Sequence, residues 1–305
     1  MSGVPQGSIL GPILFLLYIN DLPSCSSLLN FIIFADDTSI FMKHKDPQFL
    51  KQTMNSELEK VYSWFVINKL VLNVKKTHFM IFGNQKVNID TLHINDELIK
   101  RSNSIKFLGV YIDEEMKWKS HVNNVLNKIS KNIGVINRLK EFIPKNILLS
   151  LYNTLVLPHL NYCSIIWGSC SKYLLDRILK LQKRVVRIIT NSSFLAHTKP
   201  LFISLNILPI YDLYKYNLGI FMFSFYKNLL PQSFDNLFSQ NIQVHNYNTR
   251  NKFDFRVHYG RTSYSHSVIR YKGPTLWNNL PLEVRDCKSL NTFKYKLKTY
   301  LLKQL

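Results

Sequence analysis

Two adjacent carboxylates, Asp36 and Asp37, are the residues of this chain best suited to chemistry. They follow the apolar run Phe31-Ile32-Ile33-Phe34 and Ala35, and a second run, Ile40-Phe41, comes soon after. Apolar segments on both sides of an acidic pair predict two short strands meeting at a tight turn, since Asp tolerates turn conformations. Acids at a hairpin tip suit a hard divalent cation: Mg²⁺ favours carboxylate oxygens and completes its shell with water and phosphate. Taken alone, an acidic turn is usually just solvated. The tetrad Phe34-Ala35-Asp36-Asp37 needs its neighbours before it points to metal.

Those neighbours lie upstream, in Gly3-Val4-Pro5-Gln6-Gly7-Ser8-Ile9-Leu10-Gly11-Pro12. Two glycines and a proline within five residues make a backbone loop that can approach a ligand closely, with Gln6 as an amide reader. Ser8 is placed to cap an apolar helix over 9–19, and Pro12 falls near its first turn, where proline is tolerated. The helix has no basic segment before it and is too short to span a bilayer, so it reads as a buried helix behind the site.

The ordered combination of Gly-Val-Pro-Gln-Gly-Ser, an apolar helix ending Tyr18-Ile19-Asn20-Asp21-Leu22, and Phe-Ala-Asp-Asp resembles the reverse transcriptases of non-LTR retrotransposons, the jockey-like and related LINE lineages in particular. The likeness continues through Trp64–Phe82, with Asn73 and Lys76-Thr77 at characteristic places, and through Phe107-Leu108-Gly109-Val110-Tyr111-Ile112-Asp113. Less diagnostic segments follow at Leu157-Pro158-His159-Leu160-Asn161-Tyr162-Cys163 and Gly273–Pro281.

The resemblance implies an RNA-directed DNA polymerase. A primer 3′-hydroxyl would attack the α-phosphate of a dNTP and release pyrophosphate, with two Mg²⁺ ions (or Mn²⁺) about 3.5–4 Å apart on the reacting oxygens. It implies Asp36 as the direct metal ligand and Asp37 as the supporting one. Lys76 would lie beside the triphosphate, although the adjacent Lys75 leaves the register open. Gly3, Pro5, Gln6 and Gly7 would line the nascent base pair. Phe107, Leu108, Gly109 and Tyr111 would form the primer grip. The family uses a further aspartate on a strand upstream of the Gly-Val-Pro-Gln-Gly loop, and no residue here matches it. The chain is therefore expected to be a 5′-truncated reading frame, inactive alone. The competing expectations are a non-catalytic nucleic-acid-binding relic, an unfolded product of a decaying element and a basic membrane-surface protein.

The elements that must position these residues predict an α+β chain in three zones: a partial polymerase palm over 1–115, a helical thumb-like domain over 116–190, and a basic, aromatic-rich C-terminal region over 191–305. Short β-like runs at 31–34, 39–42, 78–82 and 104–112 mark the first zone. A helix over 47–66 sets Leu50, Met54, Leu58, Val61 and Phe65 on one face. The second zone is helical throughout. Its apolar stripes are Val122, Val125, Leu126, Ile129, Ile133 and Ile136; then Ile147, Leu148, Leu151 and Leu155; then Leu174, Ile178, Leu181, Val185 and Ile188.

Charge supports a polyanionic partner, for the chain carries +20 at pH 7. Behind the third stripe Arg177, Lys180, Arg184 and Arg187 recur at spacings that place four cations on one helix face. A solvated face is the usual explanation of such a pattern; an RNA template and DNA primer would supply phosphates for it. Within 241–305, 12 Lys and Arg against 3 Asp and Glu give +9. There Arg250, Lys252, Arg256 and Arg261 alternate with Tyr247, Phe253, Phe255, Tyr259 and Tyr264, a pattern suited to single-stranded nucleic acid or to a small core with a basic surface. Cys25, Cys163, Cys170 and Cys287 are scattered, match no zinc spacing, and read as reduced thiols of an intracellular protein. The histidines form no ligand cluster and read as structural. No membrane partner and no zinc are expected.

Overall fold

The structure is a computed structural model that describes residues 4–5, 7–83, 89–243 and 252–305. The expected positions Gly3, Gln6, Tyr247 and Arg250 lie outside the described residues. Contacts divide the chain into two compact units, Met1–Phe107 with Ile112–Met116, and Leu108–Tyr111 with Lys117–Leu305.

In the first unit, strands β1 (Asn30–Phe34) and β2 (Asp37–Phe41) form an antiparallel hairpin in which Phe34 pairs with Asp37. Alternation along β1 turns Phe31 and Ile33 inward and leaves Ile32 and Phe34 exposed, the period-two pattern of a half-buried strand. Helix α1 (Leu10–Ile19) and helix α2 (Pro47–Ile67) contribute Phe15 and Ile19, and Val61 and Trp64, to the core beneath the hairpin. Asp46 caps α2, its carboxylate accepting from the Gln48 N–H at 2.9 Å, and Pro47 takes the tolerated first position.

Helix α1 corrects one expectation. It is exposed along Leu10, Ile13, Leu14, Leu16, Leu17 and Tyr18, and of its residues only Ile19 is buried. It is apolar all round, yet among the described residues only one side of it meets a partner. It begins one residue later than expected, with Ile9 at the N-cap, although Ser8 Oγ still accepts from the Gly11 N–H at 3.1 Å.

A second sheet, β3 (His78–Phe79), β5 (Glu97–Arg101) and β4 (Thr91–Ile94), is ordered β3-β5-β4, with β3 parallel to β5. Its core of Leu92, Ile94 and Ile99 packs on Leu58 of α2, and Ile40 and Met54 touch both cores. Polar side chains of α2 fix β4 as well. Asn55 accepts from the His93 N–H, and Glu59 accepts from the Asn95 N–H at 2.8 Å. A last hairpin, β6 (Ser104–Phe107) and β7 (Val110–Asp113), leads the chain toward the second unit.

The second unit is helical. In α3 (Lys119–Leu139) all six expected stripe residues are buried. In α4 (Lys145–Leu155) the buried residues are Leu148 and Tyr152, while Ile147 is exposed. The buried face is turned away from the expected Ile147 toward Tyr152, whose ring fills the core while its hydroxyl is satisfied by Gln182. Short helices α5 (Leu157–Asn161) and α6 (Ser164–Trp167) lead to α7 (Lys172–Ile189), α8 (Thr198–Ser204) and α9 (Ile210–Tyr226). The fully buried Gln182 of α7 donates to Tyr152 Oη at 3.2 Å and to the Leu208 carbonyl at 3.3 Å, and accepts from the Ile210 N–H at 2.7 Å. One amide thus ties α4, α7 and the start of α9 together.

Helices α10 (Ile269–Asn278), α11 (Leu282–Arg285) and α12 (Leu290–Lys303) complete the chain. They enclose an aromatic core with α9, in which Phe223 stacks on Phe293 at 4.4 Å and Trp277 is buried. The Gly273–Pro281 motif is structural here. A Cβ on Gly273 would come within 2.6 Å of Met222 Sδ, and the Asn278 amide both donates to and accepts from the backbone of Phe255.

Candidate functional site

Asp36 and Asp37 sit where the sequence placed them, at the tip of the β1–β2 hairpin, with Ala35 and Asp36 as the two turn residues. Ala35 has φ +51°, a left-handed conformation that a residue with a Cβ adopts at a cost of about 1–2 kcal/mol. Strain of this kind clusters at functional sites. Both aspartates are exposed, and among the described residues neither has an ion-pair or side-chain hydrogen-bond partner. The tip is held from behind, because Phe31, Ile33 and Ile40 are packed into the core. The pair presents free carboxylate oxygens on a fixed backbone.

Mg²⁺ is commonly bound by one or two carboxylates with water and substrate phosphates filling its shell, and this donor set fits that use. Among the described residues no group of three or more His, Cys, Asp or Glu gathers to hold a metal. The pair therefore offers part of a shell and leaves the rest to water and ligand.

Lys76 closes a short 3₁₀ turn, Val74–Lys76, capped by Asn73, whose side-chain oxygen accepts from the Lys76 N–H at 3.2 Å. The Thr77 hydroxyl donates to the Asn73 carbonyl at 3.0 Å. Asn73 and Thr77 thus build the turn, leaving Lys75 and Lys76 exposed. Val74 joins the same core as Ile40, so one packed cluster anchors both the Lys76 turn and the aspartate hairpin. Pro5 and Gly7 are linked by a turn in which the Ser8 N–H donates to the Pro5 carbonyl at 3.1 Å, and Gly7 has φ +91°.

In the second unit, Leu108 and Gly109 both have positive φ, +44° and +86°, the backbone signature of a two-residue hairpin turn. Two side chains hold the tip: the Tyr162 hydroxyl donates to the Leu108 carbonyl, and the Tyr111 N–H donates to His121 Nδ1 at 3.3 Å. His121 is 3% exposed, and its pKa is pulled down to about 4 by burial and then by the nearby Lys128 charge, which keeps Nδ1 free to accept. Reading the residues had singled out the segment that contains Tyr162 but neither Tyr162 nor His121 as a partner of residues 108–111.

The four α7 cations singled out by spacing, Arg177, Lys180, Arg184 and Arg187, separate into two pairs. Arg177 donates to Asn123 Oδ1 at 2.8 Å, and Arg187 Nε donates to the Ala196 carbonyl at 3.0 Å. Lys180 and Arg184 are exposed. The aromatics of 252–264 divide likewise, for Phe255 is buried while Phe253, Tyr259 and Tyr264 are exposed. A cavity of about 640 Å³ lies in the C-terminal region against Phe225, Phe238, Phe255, His258 and Arg270, and none of the candidate acids lines it.

Residues 1–112 match the family model for reverse transcriptase (RNA-dependent DNA polymerase). That segment is similar to reverse transcriptases, and the longer similarity is to RNA-directed DNA polymerases of non-LTR retrotransposons. It is 24% identical over 210 residues to an RNA-directed DNA polymerase from mobile element jockey of Drosophila melanogaster, covering 65% of this chain and 23% of that protein. It is 24% identical over 219 residues to a probable RNA-directed DNA polymerase from transposon X-element of the same species, covering 69% and 24%. A Pol polyprotein from the type-1 retrotransposable element R1 2 of Nasonia vitripennis is 26% identical over 186 residues, covering 56% and 44%. The chain thus spans about a quarter of the length of the Drosophila relatives. No solved structure matches it. No helix among the described residues is long and apolar enough to cross a membrane.

Proposed function

We propose that the chain supplies part of the catalytic palm, followed by a thumb-like helical region, of an enzyme that synthesises DNA on an RNA template. The observation that carries the reading is the unpartnered Asp36-Asp37 pair on a strained hairpin turn, inside the segment that matches the reverse transcriptase family.

Asp36 would be the direct ligand of a divalent ion, Mg²⁺ or Mn²⁺, and Asp37 the supporting one. Such an ion would supply charge neutralisation at the phosphoryl oxygens. The chain's own residues do the positioning. The anchored turn would hold the backbone of both acids in place at the hairpin tip. Lys76, on its Asn73-capped turn, sets a positive charge beside the departing pyrophosphate. Pro5 and Gly7 would meet the nascent base pair. Phe107 to Tyr111 brace the primer end, and of the four cations on one α7 face Lys180 and Arg184 are the two left open to backbone phosphates. Exposed Phe253, Tyr259 and Tyr264, beside Arg256 and Arg261, suit stacking with single-stranded template.

Primer extension on an RNA template tests this reading. The chain alone is expected to give no product, since its described residues bring two carboxylates and no third metal-ligating group. Joined to the upstream polymerase segment of a jockey-type relative, it is expected to extend the primer. Asp36→Asn should then abolish synthesis while leaving primer–template affinity within about twofold, because the metal acts on charge in the reacting triphosphate whereas phosphate contacts elsewhere supply binding. Loss of affinity and rate together would assign Asp36 a structural role and overturn the proposal.

A further inference from the structure

The turn at Leu108-Gly109 is fastened by more than its own strands. Leu108 holds φ +44° although it carries a Cβ, and its carbonyl accepts from the Tyr162 hydroxyl. The Tyr162 ring also covers Gly109, where an added Cβ would come within 3.3 Å of the ring and the φ of +86° already disfavours a side chain. Tyr162 is fixed in turn. Its N–H donates to the Pro158 carbonyl at 2.9 Å, and its carbonyl accepts from Nε1 of the fully buried Trp167 at 2.8 Å. The Trp167 ring lies 5.2 Å from the His121 ring, and His121 accepts from Tyr111 on the far side of the same turn. Residues 108–111 accordingly group with the helical unit, while the strand residues before and after them group with the first.

We infer that Tyr162 is a positioning residue for the primer end: it sets the backbone of the 108–111 turn from the helical unit, so that the turn's placement follows that unit. The inference rests on the reading of 107–111 as the residues that brace the primer. The Tyr162 side chain is about half exposed, and burial does not explain its presence. What distinguishes it is a hydroxyl on the Leu108 carbonyl and a ring over a glycine where a side chain would be crowded and strained.

The test compares the full chain with Tyr162→Phe, which keeps the ring and removes only the hydroxyl. Two quantities are measured: amide hydrogen exchange at 108–111, and affinity for an RNA–DNA hybrid with a recessed DNA 3′ end relative to a blunt hybrid of the same length. Loss of one hydrogen bond is expected to speed exchange at the turn by roughly fivefold. Protection in 119–139 and 172–189 should be unchanged, and the preference for the recessed end should fall by a similar factor. Gly109→Ala, which crowds the same contact from the hairpin side, should reproduce both effects if Tyr162→Phe folds poorly. Unchanged exchange at 108–111 overturns the clamp. Faster exchange with the recessed-end preference intact overturns the positioning role. A wild-type chain with no recessed-end preference removes the primer-grip reading itself, and the inference with it.

Discussion

Replacing Lys180 and Arg184 by Gln should change how binding of nucleic acid responds to salt, whereas replacing Arg177 and Arg187 should change stability instead. The four share a helix face by spacing, but Arg177 is bonded to Asn123 and Arg187 to the Ala196 carbonyl, leaving Lys180 and Arg184 exposed. Each duplex phosphate contact contributes about 0.9 to the slope of log affinity against log salt, and about 0.7 on a single strand. Losing two contacts should therefore flatten the slope by about 1.8 on duplex DNA and about 1.4 on a single strand. Between about 50 and 200 mM salt that amounts to a loss of affinity roughly tenfold smaller than in the wild-type chain. Glutamine keeps helix propensity, so α7 stays formed. In Arg177→Gln/Arg187→Gln the slope should move by less than about 0.5. Two partly exposed charge-assisted hydrogen bonds are lost there, costing about 2 kcal/mol after allowance for screening. Fluorescence anisotropy over a salt series, with thermal melts of both variants, separates the cases. The reverse pattern, or two unchanged slopes in folded variants, would refute the assignment of this face to phosphate.

Three further outcomes follow from single residues. Ala35→Gly should leave the first unit as stable or about 0.5 kcal/mol more so, since relief of the left-handed strain slightly exceeds the entropy cost of glycine; Ala35→Val should lose more than about 1 kcal/mol, read by urea midpoints. Gln182→Leu should cost about 3 kcal/mol by stranding the Ile210 N–H and its other buried partners, seen as a lower melting temperature of the helical unit. His121, held neutral down to about pH 4, makes the helical unit lose stability as pH falls from about 6.5 toward 4, because only the unfolded chain takes up the proton in that window. His121→Asn should flatten that part of the pH–melting curve, and an identical curve would show that the ring does not titrate differently on folding.

Much of the aspartate hairpin was legible because it is local. Two apolar runs, Phe31–Phe34 and Ile40-Phe41, flank the acids closely enough for a hairpin to be expected, whereas its register, with Ala35 and Asp36 as the turn and Phe31, Ile33 and Ile40 packed inward, is seen only in the structure. Helix α3 was equally clear, as six apolar residues at helical spacing admit one face. What stayed hidden depends on contacts between distant positions. Strands β4 and β5 are short and rely on Asn55 and Glu59 of α2 to hold β4. Periodicity marks four cations on α7 as equivalent, and only Asn123 and Ala196 make two of them structural. Tyr162 and His121 lie 54 and 10 residues from their partners in the turn, and nothing in local pattern joins them. The all-apolar character of α1 predicted burial, yet burial needs a second surface as well as an apolar helix.

The most direct test of the aspartate hairpin as a metal-holding end is paramagnetic broadening of backbone amides by Mn²⁺ in the presence of a dNTP, measured on the full chain. Broadening should centre on residues 34–38, extend to the Lys76 turn through the shared triphosphate, and vanish from the hairpin in Asp36→Asn/Asp37→Asn while the fold is retained. Broadening that ignores both substitutions, or that centres on other acids such as Asp113 to Glu115, would contradict the account.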